Sequence, residues 1–188
     1  MSASVQRGAD KVEMEWAADS AYRFYPLVEH AVFGLALHPF DLATNKVLAL
    51  VGRLEARDWV DIVECSERLQ PLGYLAWAAC GKDPGFTPHS ILEQAARSAR
   101  YSDDEIGALA FDGTPPSAAD LSRRWHTALA EARVILSLLP TRTAGAAVVT
   151  RDGAPCREGA TGLPEALRTA RVMFHQGRSI GGAWPQVR

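Results

Sequence analysis

Residues 38–62 read HPFDLATNKVLALVGRLEARDWVDI. His38-Pro39 closes one element and opens another. From about Asp41 to Arg53 the apolar residues Val47, Leu48, Leu50 and Val51 supply the buried side of a helix. Asp41, or the residue before it, is placed to cap the N-terminus, where a carboxylate also suits the helix dipole. A second helix starts near Arg57-Asp58 and runs to about Leu69, with Trp59, Ile62, Val63 and Leu69 apolar. The short link between them predicts an antiparallel helical hairpin. Lys46 and Arg53 lie seven apart and so share a helix face. Asp58, Asp61, Ile62 and Cys65 share a face of the next helix. The hairpin therefore brings Lys46, Arg53 and Arg57 toward Asp58 and Asp61. Cations beside carboxylates suit a nucleoside triphosphate: the lysine neutralises phosphate charge, and an aspartate orients the lysine or binds a hydroxyl. The plainer alternative is a solvated ion-pair network of Glu55, Arg57, Asp58 and Asp61 that locks the hairpin.

Upstream, residues 1–10 are polar and carry no pattern. Lys11 to Trp16 alternates polar and apolar and reads as a half-buried strand. Ala21 to Tyr25 is a short aromatic stretch ended by Pro26, and Val32 to Leu37 reads as a second strand. Downstream, Pro71 to Ala79 is a very apolar helix stopped by Cys80-Gly81-Lys82-Asp83-Pro84-Gly85. Thr87-Pro88 opens a fourth helix, and Ser102 with Glu105 has capping-box spacing for a fifth. The longest helix starts at Ser117, with Leu121, Trp125, Leu129, Ala132 and Leu136 on one face. Ala146 to Thr150 followed by Arg151-Asp152-Gly153 reads as a strand entering a hairpin. A short helix over 163–170 and a glycine-rich loop from Phe174 to Pro185 complete the chain. The tail FHQGRSIGGAWP (174–185) has glycines and a basic residue with which to wrap a phosphate, though a packed C-terminal loop is the plainer account.

Composition bounds the function classes. The chain has 188 residues, 47% hydrophobic and 22% charged, with a formal net charge of −2. Predominant disorder is excluded, and one good core is expected. The near-balanced charge gives no global positive field for nucleic acid, although Arg97 with Arg100, and Arg123 with Arg124, form short basic clusters. No apolar run reaches membrane-spanning length, and the first residues lack a signal peptide's apolar core. Cys65, Cys80 and Cys156 form no CxxC pair and read as reduced thiols of a cytoplasmic protein. The five histidines show no zinc-ligand spacing.

The stretch 38–62 resembles the nucleotidyltransferases of the AbiEii/AbiGii toxin type, within the DNA polymerase beta-like superfamily. Their third motif, an Asp followed by a Lys and an apolar helix, corresponds to Asp41 and Lys46. Their fourth, Arg-Asp-x-x-Asp on the next helix, corresponds to Arg57, Asp58 and Asp61. VEMEWAADSAYRFYP (12–26) resembles the family's central strand and following turn, and a weaker likeness extends to RRWHTAL (123–129) and FHQGRSIGGAWP (174–185). The resemblance implies Mg²⁺-dependent transfer of a nucleotide monophosphate from an NTP to a hydroxyl of RNA (tRNA for some relatives) or protein, and a possible antitoxin partner, as in a type IV toxin–antitoxin pair. It assigns Lys46 to the triphosphate and Asp58 to supporting that lysine or the nucleotide. Asp41 and Asp61 would brace the helices, and Arg53 and Arg57 would add positive charge. Glu15 or Glu13, two apart on one strand face, would stand for the family's third metal-binding carboxylate; an exposed strand face explains both as well.

One part of the pattern is absent. The family's Gly-Ser or Gly-Gly turn and following Asp-x-Asp, which bind Mg²⁺ and triphosphate, do not occur before Lys11. Three accounts follow: a start set too far downstream, a missing half supplied by another chain, or a non-catalytic remnant or interaction protein. Each leaves an open sheet edge and an exposed apolar face. The expected fold is α+β: a truncated nucleotidyltransferase-like core over residues 1–70 with a small mixed sheet, then a helical region over 71–188 with a short C-terminal hairpin, continuous with it.

Overall fold

The computed structural model describes residues 2–15, 21–32, 34–98 and 101–179. Trp16, Phe33, Arg100 and residues 180–188, which entered the sequence reading, lie outside them. The chain is mixed α and β, with seven α-helices and short antiparallel strand pairs among the described residues.

The helical hairpin is present. α1 spans Pro39–Arg53 and α2 spans Ala56–Arg68, joined by Leu54 and Glu55 alone. Leu54 closes α1 in the left-handed region, at φ 54°, with its N–H bonded to the Leu50 carbonyl. That conformation turns the chain in the space of two residues, at roughly 1–2 kcal/mol for a residue bearing a Cβ. Phe40, Ala43, Val47, Leu50 and Val51 are the buried side of α1, the three-and-four spacing expected of one helix face. The N-cap is His38, whose Nδ1 accepts from the Phe40 amide at 3.2 Å. Asp41 does not cap: it is already inside the first turn and is fully buried.

α3, Leu72–Ala79, is buried at every position. A helix apolar all round belongs at the centre of a core, and α3 packs against α1, α6 and α4. α4 spans Pro88–Ala95 and α5 spans Asp103–Gly107, each opened by a capping box, Thr87 with Ser90 and Ser102 with Glu105. α6, Ala118–Leu138, turns Leu121, Trp125, Leu129, Ala132, Ile135 and Leu136 inward. It reaches α3 closely because Gly73 has no side chain: a Cβ there would sit 2.8 Å from Ile135 Cβ. One apolar cluster runs from Phe24 to Val172, across both halves of the sequence. Trp59, Trp77 and Trp125 lie in it, at most 1% exposed.

The strands depart from the expected small mixed sheet. β1 (Ser2–Arg7) pairs with β2 (Asp10–Glu15), and β4 (Val28–His30) pairs with β5 (Gly34–Ala36). β3 (Tyr22–Arg23) pairs with β8 (Arg178–Ser179), and β6 (Ala147–Thr150) pairs with β7 (Val172–His175). All four pairs are antiparallel and two-stranded. β1 with β2 and β4 with β5 pair with their neighbours in sequence, while β3, cut short before Pro26, pairs with β8 from the far end of the chain, so the strands form no single sheet. Residues 2–7, which the sequence reading left without structure, form a strand by pairing with β2. Among the described residues the β1–β2 ribbon has no further strand on either edge, and Val5 and Val12 are 54% and 57% exposed.

The C-terminal hairpin also differs. The turn at 151–153 does return the chain along β6, through Cys156 N–H to Val148 O at 3.0 Å and a bridge between Val149 and Pro155. The regular partner of β6 is β7, reached through α7 (Leu163–Arg168). Sequence reasoning took β7 and β8 for loop because each has only two to four residues and next to no alternation. Gln70, fully buried at the end of α2, holds the return in place by donating from Nε2 to the carbonyls of Val148 and Cys156.

Candidate functional site

Asp58 stands in the first turn of α2, fully buried. Its Oδ1 is 3.0 Å from Lys46 Nζ and accepts from Arg53 Nη2 at 3.2 Å; its Oδ2 accepts from Arg53 Nε at 2.7 Å. Lys46 Nζ also lies 2.7 Å from Asp61 Oδ2. The seven-residue spacing on α1 and the two-residue link explain the convergence: two cations one face apart meet the start of α2 as the chain doubles back. The Asp58 carboxylate bridges both cations, and the α2 N-terminus adds its dipole.

The electrostatics follow from that arrangement. Burial pushes the Asp58 carboxyl up, but the hydrogen bonds from Arg53 and Lys46 outweigh it and hold the group below the usual carboxylate range. Burial pushes the Lys46 ammonium down, and the bonds to Asp61 and Asp58 more than reverse this. Lys46 and Arg53 remain partly exposed, at 33% and 48%, and Asp61 is 41% exposed. Two cations thus face two carboxylates, one carboxylate sealed in and the other at the surface. Lys46 and Asp61 stand at the mouth of a groove of about 410 Å³ between α1 and α2, lined also by Leu42, Ala43, Cys65 and Leu69. Burial raises the Cys65 thiol, which suits packing and not nucleophilic attack.

Of the residues singled out from sequence, Lys46, Arg53, Asp58 and Asp61 come together. Arg57 does not join them; its Nη2 lies 3.6 Å from Glu55 Oε2, and Glu55 lies 3.7 Å from Arg53 Nε. Asp41 belongs to a different cluster, because five residues along α1 turn it about 140° away from Lys46. Its Oδ1 and Oδ2 accept from the amides of Phe24 and Tyr25, both at 3.0 Å, and Oδ1 lies 2.9 Å from Lys82 Nζ. Lys82, 2% exposed, also donates to the Asp41 carbonyl and to Asn45 Oδ1. Sequence reasoning missed Lys82: a lysine in the turn after α3 carries no local signal that it folds inward.

The carboxylates proposed for a metal fit poorly. Glu13 stands exposed on the β1–β2 ribbon, 2.9 Å from Lys11 Nζ, and the side chain of Glu15 lies outside the described residues. Among the described residues no group of three His, Cys, Asp or Glu side chains is placed to hold a metal ion. These residues therefore do not fit the Mg²⁺ that the resemblance implies, and no chemical step is derived through it. Among the same residues no helix is long and apolar enough to cross a membrane. Compared with protein-family models, curated proteins and solved structures, the chain matches none.

Proposed function

We propose that this chain is a nucleotidyltransferase-like protein of the toxin type whose helical hairpin binds the triphosphate of an NTP. The reading is carried by one observation, the buried Asp58 that holds both Arg53 and Lys46, with Lys46 at the rim of an open groove. Asp58 keeps the lysine charged and aimed. Asp61 acts as a removable counter-ion: an incoming phosphate displaces it from Lys46 while the bond to Asp58 persists. The groove is of a size and apolar character suited to a nucleoside. NMP transfer to an RNA or protein hydroxyl would need metal-binding carboxylates from beyond the described residues, such as a second chain.

Isothermal calorimetry with ATP, CTP, GTP and UTP, each with and without Mg²⁺, tests the reading on the wild type and on Lys46→Ala. Micromolar binding abolished in the variant is the expected result. Absence of binding to either form overturns it. The second reading is a non-catalytic interaction protein, favoured by the pairing of Lys46 and Arg53 with carboxylates and by the exposed Val5 and Val12. In that case the hairpin charges lock α1 to α2, and Lys46→Ala alters stability alone.

A further inference from the structure

The β1–β2 ribbon takes no part in the hairpin site. Every side chain from Ala3 to Glu13 is exposed. Val5 and Val12 stand opposite each other on one face, each more than half exposed. A two-stranded hairpin on its own is marginally stable in water, and a further strand or a packed face is what secures it. Among the described residues no further strand lies on either edge of this one.

The open edge of β2 is complementary to itself. Gly8 and Ala9 make the turn, with Gly8 at φ 63°, and Arg7 pairs with Asp10 across it. A two-residue turn closes on a hydrogen-bonded pair, and such pairs alternate with non-bonded ones along the ladder. Val12 therefore turns its amide and carbonyl toward Val5 on β1, whereas Lys11 and Glu13 turn theirs to the open edge. Set a second β2 antiparallel beside the first, with the two-fold axis at Val12. Lys11 then falls opposite Glu13 of the second copy, and Glu13 opposite its Lys11. Both pairs occupy hydrogen-bonding positions, so each joins two backbone bonds to one ion pair. Val12 meets its own equivalent on the other face. Every other axis position along β2 sets two like charges opposite each other, which is destabilising. β1 carries no acidic residue and offers no such match. A lysine on an edge strand ordinarily discourages pairing, but here the second copy supplies its counter-charge. Lys11 Nζ now lies 2.9 Å from Glu13 Oε1 along the same strand, at 58% and 78% exposure. Exposed pairs of this kind contribute little, so exchanging partners is easy.

We infer that the chain self-associates through β2, two copies forming a four-stranded antiparallel sheet in the order β1-β2-β2-β1. One patch contacting its own equivalent is the commonest geometry of a closed dimer. The sheet lines up Val5 and Val12 of both copies in a row on one face and the charged pairs on the other. A single six-residue edge buries less than the roughly 1,200 Å² of a standard interface, so the dimer is weak and depends on concentration. The inference does not rest on the triphosphate reading.

The test is sedimentation velocity on the full chain at low salt, from about 10 μM to about 1 mM, a range that brackets a weak dimer. The samples are the wild type, Lys11→Glu, Glu13→Lys, the double variant with both changes, and an equimolar mixture of the two single variants. Within the ribbon Lys11 and Glu13 stand opposite the neutral Gln6 and Ser4, so all variants are expected to melt as the wild type does. The expected result is a reversible wild-type dimer that weakens about tenfold or more in each single variant. The double variant and the mixture should both recover it, since each restores opposite charges across the axis. A wild type that stays monomeric throughout overturns the inference and leaves the edge to a strand of another protein. Association unchanged in either single variant places the contact elsewhere and also overturns it. So does a loss that neither the double variant nor the mixture recovers.

Discussion

The ammonium of Lys82 lies 2.9 Å from the Asp41 carboxylate with both side chains sealed from water. The pair joins three parts of the chain: the first turn of α1, the end of α3, and the segment at Phe24 and Tyr25. Lys82 also lies 5.7 Å from the centroid of the Phe24 ring. Removing one partner of such a pair leaves a buried uncompensated charge. Asp41→Asn is therefore expected to cost about 3–5 kcal/mol in unfolding free energy, read by urea denaturation. The double variant Asp41→Asn with Lys82→Met should recover part of that loss. A cost below about 1 kcal/mol for the single variant, in the range of a surface pair, would show that the pair is solvated.

The hairpin cluster should behave differently, since its cations reach solvent. Lys46→Ala is expected to cost about 1 kcal/mol or less, because a third of its side chain is exposed and alanine favours the helix. The same variant should abolish NTP binding by calorimetry. Binding and thermal stability falling together by a large amount would make Lys46 a structural residue.

Asp61 competes with phosphate for Lys46 in the proposed binding mode. Asp61→Asn keeps the size of the side chain and removes the competing charge. NTP affinity should rise by several-fold, on the order of 1 kcal/mol for a partly exposed ion pair. A loss of affinity would mean that Asp61 itself contacts the nucleotide.

The Asp58 carboxyl is held below its ordinary range by Arg53 and Lys46, which outweigh the effect of burial. A carboxylate depressed on folding contributes stability that is present above the unfolded-state pKa of about 3.9. That contribution is lost as pH falls through the lower folded value. The stability gap between wild type and Asp58→Asn should therefore be full near neutral pH and shrink in acid, below about pH 4. Urea titrations at several pH values measure it, and a gap that does not change with pH contradicts the assignment.

At Gly177, in the described part of the tail, a side chain has no space. Gly177→Ala pushes a methyl group into the Tyr22 ring and should separate β3 from β8. Overpacking of this kind costs about 1–3 kcal/mol. A variant as stable as the wild type would show that the tail need not lie against Tyr22.

Residues 38–62 made the helical hairpin legible without coordinates. Apolar spacing on both helices and the seven-residue interval from Lys46 to Arg53 are local properties, and they placed both cations against Asp58. The Thr87 and Ser102 caps, the wholly apolar α3 and the inward face of α6 were legible for the same reason, because these signals lie within a turn or two of the chain. Strands β2, β5 and β6 were legible in part, from alternation or a short apolar run, but the pairing of the strands was not. β3 finds its partner 155 residues later in β8, and β6 finds β7 beyond an intervening helix. Segments of two to four residues carry too little alternation to announce such partners. Two further choices were tertiary: Asp41 turned away from the hairpin charges to meet Lys82, and Arg57 turned toward Glu55. Sequence determines which face of a helix a charge occupies; which opposite charge meets it depends on distant segments that pack there and exclude water.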